Sequence, residues 1–195
     1  MPATTVRTMT DHEPTVRPAR PEDIPGLVAS SAGLFAEDAG TRDPSVDVDW
    51  PRRHGAESFA AALADPARLV LAVDHGGEVV GHLTGTLTEP SAVRPVKSAT
   101  LNALYVRPAH RRGRVGGRLV AEFLSWAEAR GATQAEVAAY AANPDAIRFY
   151  ERQGFGAHAV TLRSVLGRKE EAGEEANDET EQTRRRSSRR TDRCR

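Results

Sequence analysis

"YVRPAHRRGRVGGRLV", residues 105–120, joins the end of an apolar strand to a proline, a cluster of arginines and glycines, and the opening of an amphipathic helix. A helix N-terminus carries unpaired amides and a partial positive charge, and glycines there let the backbone approach an anion. The stretch therefore reads as a phosphate-binding turn, with Arg111, Arg112, Arg114 and Arg118 adding charge around it. Two familiar nucleotide patterns do not fit it. No Lys-Ser/Thr pair follows the glycines, as a Walker loop requires, and Gly113, Gly116 and Gly117 do not make G-x-G-x-x-G. Taken alone, the segment leaves open a solvated basic turn in front of a helix.

Working outward, the chain alternates between short apolar strands and helical patterns. "RLVLAVD" (68–74) and "EVVGHLTGTLT" (78–88) are rich in β-branched residues and are separated by "HGG", a hairpin signal. "SATLNALYV" (98–106) adds a third strand. The helix that follows, from about Gly116 to Arg130, places Leu119, Val120, Phe123, Leu124 and Ala127 on one face and stops at Gly131. "TQAEVAAY" (133–140) reads as a strand. "NPDAIRFYERQ" (143–153) reads as a helix, capped by Asn143 with Pro144 in its first turn. "GAHAVTLRSVL" (156–166) supplies a last strand or two. Upstream lie a short strand at 15–19, a helix over 21–39, a polar loop over 43–53 and a helix over 55–66. The order predicts an α/β fold whose central sheet is mixed, mostly antiparallel, and flanked by helices.

Length and composition set the outer bounds. The 195 residues suit one domain, and Lys plus Arg equal Asp plus Glu at 27 each, so no overall charge draws the molecule to nucleic acid or a membrane. The acidic run "EEAGEEANDETE" and the basic run "RRRSSRRTDRCR" lack apolar periodicity. We expect a loose arm over 1–14, one domain over 15–167 and a disordered charged tail over 168–195. The single cysteine, Cys194, falls in that tail, so an internal disulfide or cysteine metal site is excluded and no metal is expected. No apolar run approaches the roughly 18 residues of a membrane span, and a cytoplasmic location is expected.

Two ordered segments resemble the GCN5-related N-acetyltransferase (GNAT) family. Val106, Pro108 and "RRGRVG", with Arg111 first and Gly116 last, are similar to the family's Arg/Gln-x-x-Gly-x-Gly/Ala turn. "NPDAIRFYERQGF", Asn143 to Phe155, matches its second segment throughout. The resemblance covers roughly residues 15–166. It implies an acyl-CoA N-acyltransferase fold, acetyl-CoA as acetyl donor, and direct transfer of the acetyl group to a primary amine of a small molecule or protein. It further implies that Arg111, Arg112, Gly113, Arg114, Gly116 and Gly117 cradle the pyrophosphate and that Leu104 and Val106 offer backbone groups to the pantetheine and thioester. Asn143 has two readings that can both hold, a helix cap and, by the resemblance, a contact to the CoA arm, and Tyr150 either protonates the departing thiolate or only packs.

The departure from the family is Arg114, where glycine is usual. An arginine with ordinary turn dihedrals would still offer its amide, with Gly113 supplying the flexibility. A second departure is Asn102, where many relatives have a strand glutamate; an amide cannot accept a proton at neutral pH. Glu37, Asp38 and His82 are base candidates by residue type, beside a bulk-connected water. Glu37, Asp38, Asp43, Asp47 and Asp49 form an acidic group able to attract a cationic amine or simply a solvated loop. A CoA-binding sensor without turnover is the alternative function, an interaction protein with a basic tail a weaker one, and a homodimer is left open.

Overall fold

The computed structural model describes residues 13–111 and 114–166. The expected N-terminal arm up to Asp11 and His12, Arg112 and Gly113, and the charged tail with Cys194 lie outside the described residues, apart from Glu13 and Pro14. The chain divides after Gly156.

The sheet is built around a hairpin. β2 (Arg68–His75) and β3 (Glu78–Thr88) pair antiparallel with His75 opposite Glu78. Gly76 and Gly77 make the turn at φ 63° and 85°. A two-residue turn that follows the twist of its strands needs positive φ at both positions, and only glycine adopts it without strain. β1 (Thr15–Pro18) adds to β2, and β4 (Ser98–Val106) to β3, both antiparallel. β5 (Gln134–Val137) joins β4 in parallel, giving the order β1-β2-β3-β4-β5. The mixed, mostly antiparallel sheet expected from the sequence is the one observed.

Helices cover both faces, as the burial of β2 requires. Val70 and Ala72 turn into a cluster with Leu27 and Phe59, while Leu71 and Val73 turn into a second cluster with Leu119 and Phe123. The strand's continuous apolar run is thus period-two alternation between two cores. Leu27 comes from α1 (Ile24–Leu34) and Phe59 from α3 (Trp50–Ala64). Between these helices the chain passes through a π-helical turn (Phe35–Ala39) and a last helical turn, α2 (Gly40–Arg42). The other face belongs to α4 (Val115–Ala129), which buries Val115, Leu119, Val120, Phe123 and Ala127 at helical spacing. The last helix is α5 (Pro144–Arg152).

Three sequence expectations change. α3 begins at Trp50, inside the stretch read as a loop, because Pro51 is a first-turn residue and its fixed φ favours a helix start. β5 is four residues long instead of eight, because β4 pairs with it only as far as Leu101. The described residues 157–166 contain no strand; Val160, Leu162 and Leu166 are exposed.

His82 shows what the core does to a titratable group. It is 1 % exposed on β3, hydrogen-bonded to Ser30 Oγ at 2.8 Å and set edge-on to Phe59. Burial pushes its pKa down to about 4. The imidazole stays neutral when folded and takes a proton near 6.5 when unfolded, so its contribution is complete above pH 6.5 and is lost as the pH falls towards 4. Urea unfolding should lose about 3 kcal/mol over that window through this group. His82→Gln should remove that part of the pH slope; an unchanged slope in the variant would rule out His82 as its source.

Candidate active site

β4 carries one extra residue against β3. Thr84 faces Ala103 and Gly85 faces Leu101, so Asn102 is a bulge with its side-chain amide donating to Thr86 Oγ1 at 3.0 Å. Beyond Leu101, β4 and β5 part company. Antiparallel pairing alternates bonded and non-bonded residues, and Arg107 N donates to Val80 O at 2.9 Å. By that alternation Tyr105 and Ala103 bond to β3, while the N–H and C=O groups of Leu104 and Val106 turn the other way. There they meet a cleft of about 930 Å³, whose far wall includes Ala138, Ala139 and α5. Its size is that of a pocket for a substantial ligand.

α4 enters the cleft by its N-terminus. Arg114 is the residue before the helix and has φ 58°, ψ 10°. It is the one non-glycine among the described residues with positive φ. This corrects the expectation of ordinary dihedrals: an arginine adopts the left-handed conformation that glycine takes without strain. The amides of Val115, Gly116 and Gly117 follow, and first-turn amides have no partner within their own helix. A Cβ on Gly116 would stand 3.3 Å from the Phe149 ring, so the bare backbone lets α4 and α5 approach closely. Arg114 and Arg118 line the cleft beside Arg152 of α5. Arg118 is tied to Glu13 and to the Pro14 carbonyl, whereas Arg114 and Arg152 have no ion pair among the described residues.

Arg111 is held more tightly than its motif position suggested. Its Nε donates to Val106 O at 2.8 Å and its Nη2 to Glu37 Oε2 at 2.6 Å, and the guanidinium lies 5.5 Å from the Tyr105 ring centroid. The Arg111 bond and charge hold the Glu37 carboxyl below the usual carboxylate range. Val106 thus presents its carbonyl to Arg111 in this structure. Asn143 caps its helix, as one of its two readings has it. Its Oδ1 accepts from Ala146 N at 3.2 Å, which caps α5, and its Nδ2 reaches Asp38 Oδ1 at 2.8 Å. Asp38 is also paired with Arg42 at 2.8 Å.

Tyr150 lines the cleft and packs edge-on against Phe149 and Phe155. Burial, with the Asp38 charge adding to it, pushes its pKa up to about 12, so the phenol keeps its proton throughout the neutral range. The base candidates separate. Glu37 and Asp38 stand in the cleft wall. His82 is buried among α1, α3 and the sheet and is not a cleft residue. Asp43 is buried and accepts from Ser45, while Asp47 pairs with Arg53 and Asp49 with Arg52, so these three do not join Glu37 and Asp38. Sequence reading missed Tyr105, Arg42 and Arg152 as cleft residues. Strand alternation and helix spacing signalled the faces of Tyr105 and Arg152, but nothing local marked Arg42.

The residues present fit a diphosphate-bearing donor: first-turn amides, cations at the α4–α5 end without an ion pair among the described residues, and a strand edge at Leu104 past its pairing with β5 for an amide-bearing arm. Left-handed backbone costs a residue with a Cβ roughly 1–2 kcal/mol, part of which glycine offsets with its own unfolded-state entropy. Arg114→Gly should therefore raise the unfolding free energy by about 1 kcal/mol, and Arg114→Val, β-branched, should lower it. Urea denaturation of the two variants checks both signs.

Comparison with known proteins places this geometry. A transcriptional regulator from Bacillus halodurans C-125 superposes with a TM-score of 0.62 at 25% identity, covering 78% of this chain and 99% of its own. A point mutant of the BH1408 protein from Bacillus halodurans gives 0.65 at 20% identity, with 78% and 99% coverage. An aminoglycoside acetyltransferase, meta-AAC0020 from an uncultured soil metagenomic sample, solved with sisomicin, gives 0.60 at 16%, with 79% and 97% coverage. No curated protein sequence matches. The model of the acetyltransferase (GNAT) family matches residues 36–155, from the π-helical turn to the end of the second motif. With its acyltransferase fold and both motif segments on one cleft, the chain belongs to the GNAT family, whose chemistry is acetyl transfer and whose donor is generally acetyl-CoA.

Proposed function

We propose that this protein is an N-acetyltransferase that moves an acetyl group from acetyl-CoA directly to a primary amine of a small molecule or protein. One observation carries the reading. The open edge of β4 at Leu104, the left-handed turn into α4 and the protonated Tyr150 all face one cleft. The donor's pyrophosphate meets the amides of Val115, Gly116 and Gly117, with Arg114 adjacent; Arg112 and Gly113, which precede it in the sequence, are proposed to contribute with it. Its pantetheine runs along Leu104 and Val106. Asn143 and Tyr150 both line the cleft.

Two proton movements accompany the transfer. The amine nitrogen attacks the thioester carbonyl, the carbon–sulfur bond breaks, the nitrogen sheds a proton and the sulfur gains one. Tyr150 reaches the sulfur as a proton-bearing phenol. Its raised pKa lies well above the thiol reference of about 8.5, so the phenol acts chiefly by donating a hydrogen bond to the departing thiolate. For the amine, Asn102 offers no base, and Glu37, held ionised by Arg111, is a weak one. An alkylammonium with a reference pKa of about 10.4 then loses its proton to a water path open to bulk. Asn102 also favours the second reading, a CoA-binding sensor without turnover.

We place the protein in the cytoplasm as a soluble enzyme; among the described residues no helix is long and apolar enough to cross a membrane. Release of free thiol from acetyl-CoA, followed over a panel of spermidine, sisomicin and a lysine peptide, distinguishes the readings: donor binding without thiol release favours the sensor. In the enzyme, Tyr150→Phe should lower kcat by about 100-fold and leave the acetyl-CoA KM nearly unchanged. A variant with full kcat would assign Tyr150 to packing alone.

A further inference from the structure

Glu37 and Arg111 are 74 residues apart in sequence, and their 2.6 Å contact ties the π-helical turn to the loop before α4. Both side chains are more than two-fifths exposed, at 46% and 43%, so the pair is open to ligands and its own attraction is screened. Arg111 is fixed at two points, Nε on Val106 O and Nη2 on Glu37, and the Tyr105 phenol lies beside both charges. The arginine stands three positions before Arg114, where the α4 amides begin, and both residues line the same cleft.

The pairing has an electrostatic consequence. An anion entering the cleft meets an arginine whose field the carboxylate cancels, and a cation meets a carboxylate cancelled by the arginine. We propose that the Glu37–Arg111 pair couples the two substrate sites: the anionic donor engages the Arg111 guanidinium and releases the Glu37 carboxylate to a primary ammonium on the acceptor. Each substrate then strengthens the binding of the other, by equal factors as linkage requires. The acceptor class is a cationic amine, and its carboxylate partner is unmasked only in the donor complex. Asp38 differs in that its Oδ1 is shared between Asn143 and Arg42, neither of them a residue of the turn before α4. The inference rests on the reading that an acyl-CoA occupies this cleft.

Calorimetric titration of the full chain with acetyl-CoA tests it. Glu37→Gln keeps an oxygen for Arg111 but removes the charge, so it should tighten acetyl-CoA by about 3- to 10-fold. In an Arg111→Gln background the same substitution should gain clearly less. Spermidine, at matched ionic strength, should tighten acetyl-CoA binding to the wild type and not to Glu37→Gln. Weaker or unchanged binding by Glu37→Gln, or an equal gain in both backgrounds, overturns the coupling, and no spermidine effect on the wild type overturns its acceptor half. Binding by neither wild type nor variants strikes instead at the donor reading itself, whereas binding gained only in Glu37→Gln supports the coupling.

Discussion

The hydrogen bonding between β4 and β5 stops at Leu101 and Val137, and the functional part of the molecule follows from that stop. A central strand satisfies its backbone on both sides; past Leu101, β4 does so only towards β3. The Asn102 bulge accompanies the parting, as bulges do where a strand must bend away from its neighbour. Leu104 then carries polar groups that face open space, while the Val106 carbonyl takes the Arg111 Nε, and a buried backbone group left unpaired is costly. A ligand with amide groups, or water, must complete the edge. α4 leaves one wall of the resulting cleft and α5 stands on the other, so both motif segments address the same volume.

Burial acts in opposite functional directions at two groups. His82 is driven neutral by the core between α1, α3 and the sheet, where it has a hydroxyl partner and no route to the cleft. Tyr150 is driven to keep its proton by the same desolvation, but on a helix that faces the cleft. A shifted titration is therefore not a mark of chemistry by itself; position in the fold decides. Glu37 in the π-helical turn is the reverse case. Arg111 holds the Glu37 carboxyl ionised, which suits it to anchor charge more than to remove protons.

Much of this was legible in the chain because the signals were local. Two glycines specified the hairpin, β-branched runs the strands, and the spacing from Val115 to Ala127 the buried face of α4. The two motif segments were readable because each is contiguous. What escaped was set by distant contacts. The left-handed Arg114 breaks the usual preference for glycine at such a φ, and only its surroundings select that conformation. The acidic group from Glu37 to Asp49 looked like one feature, yet Asp43, Asp47 and Asp49 are taken by Ser45, Arg53 and Arg52. Pro51 read as a loop residue because a first-turn proline and a loop proline look alike until the following helix is seen.

The π-helical turn at Phe35–Ala39 has a consequence in counting. Relative to an α-helix it houses one extra residue, and successive α-helical residues are about 100° apart around the axis. Deleting a single residue there would restore ordinary helical winding and leave the net charge of the chain unchanged if an alanine were removed. Because the π turn absorbs that extra residue, α2 and its Arg42 would keep nearly their present phase relative to α1, and the change would fall on the residues inside the turn, where Glu37 is set against Arg111 and Asp38 against Asn143. Helix phase across these five residues, as much as their chemistry, thus determines which carboxylate faces which wall of the cleft.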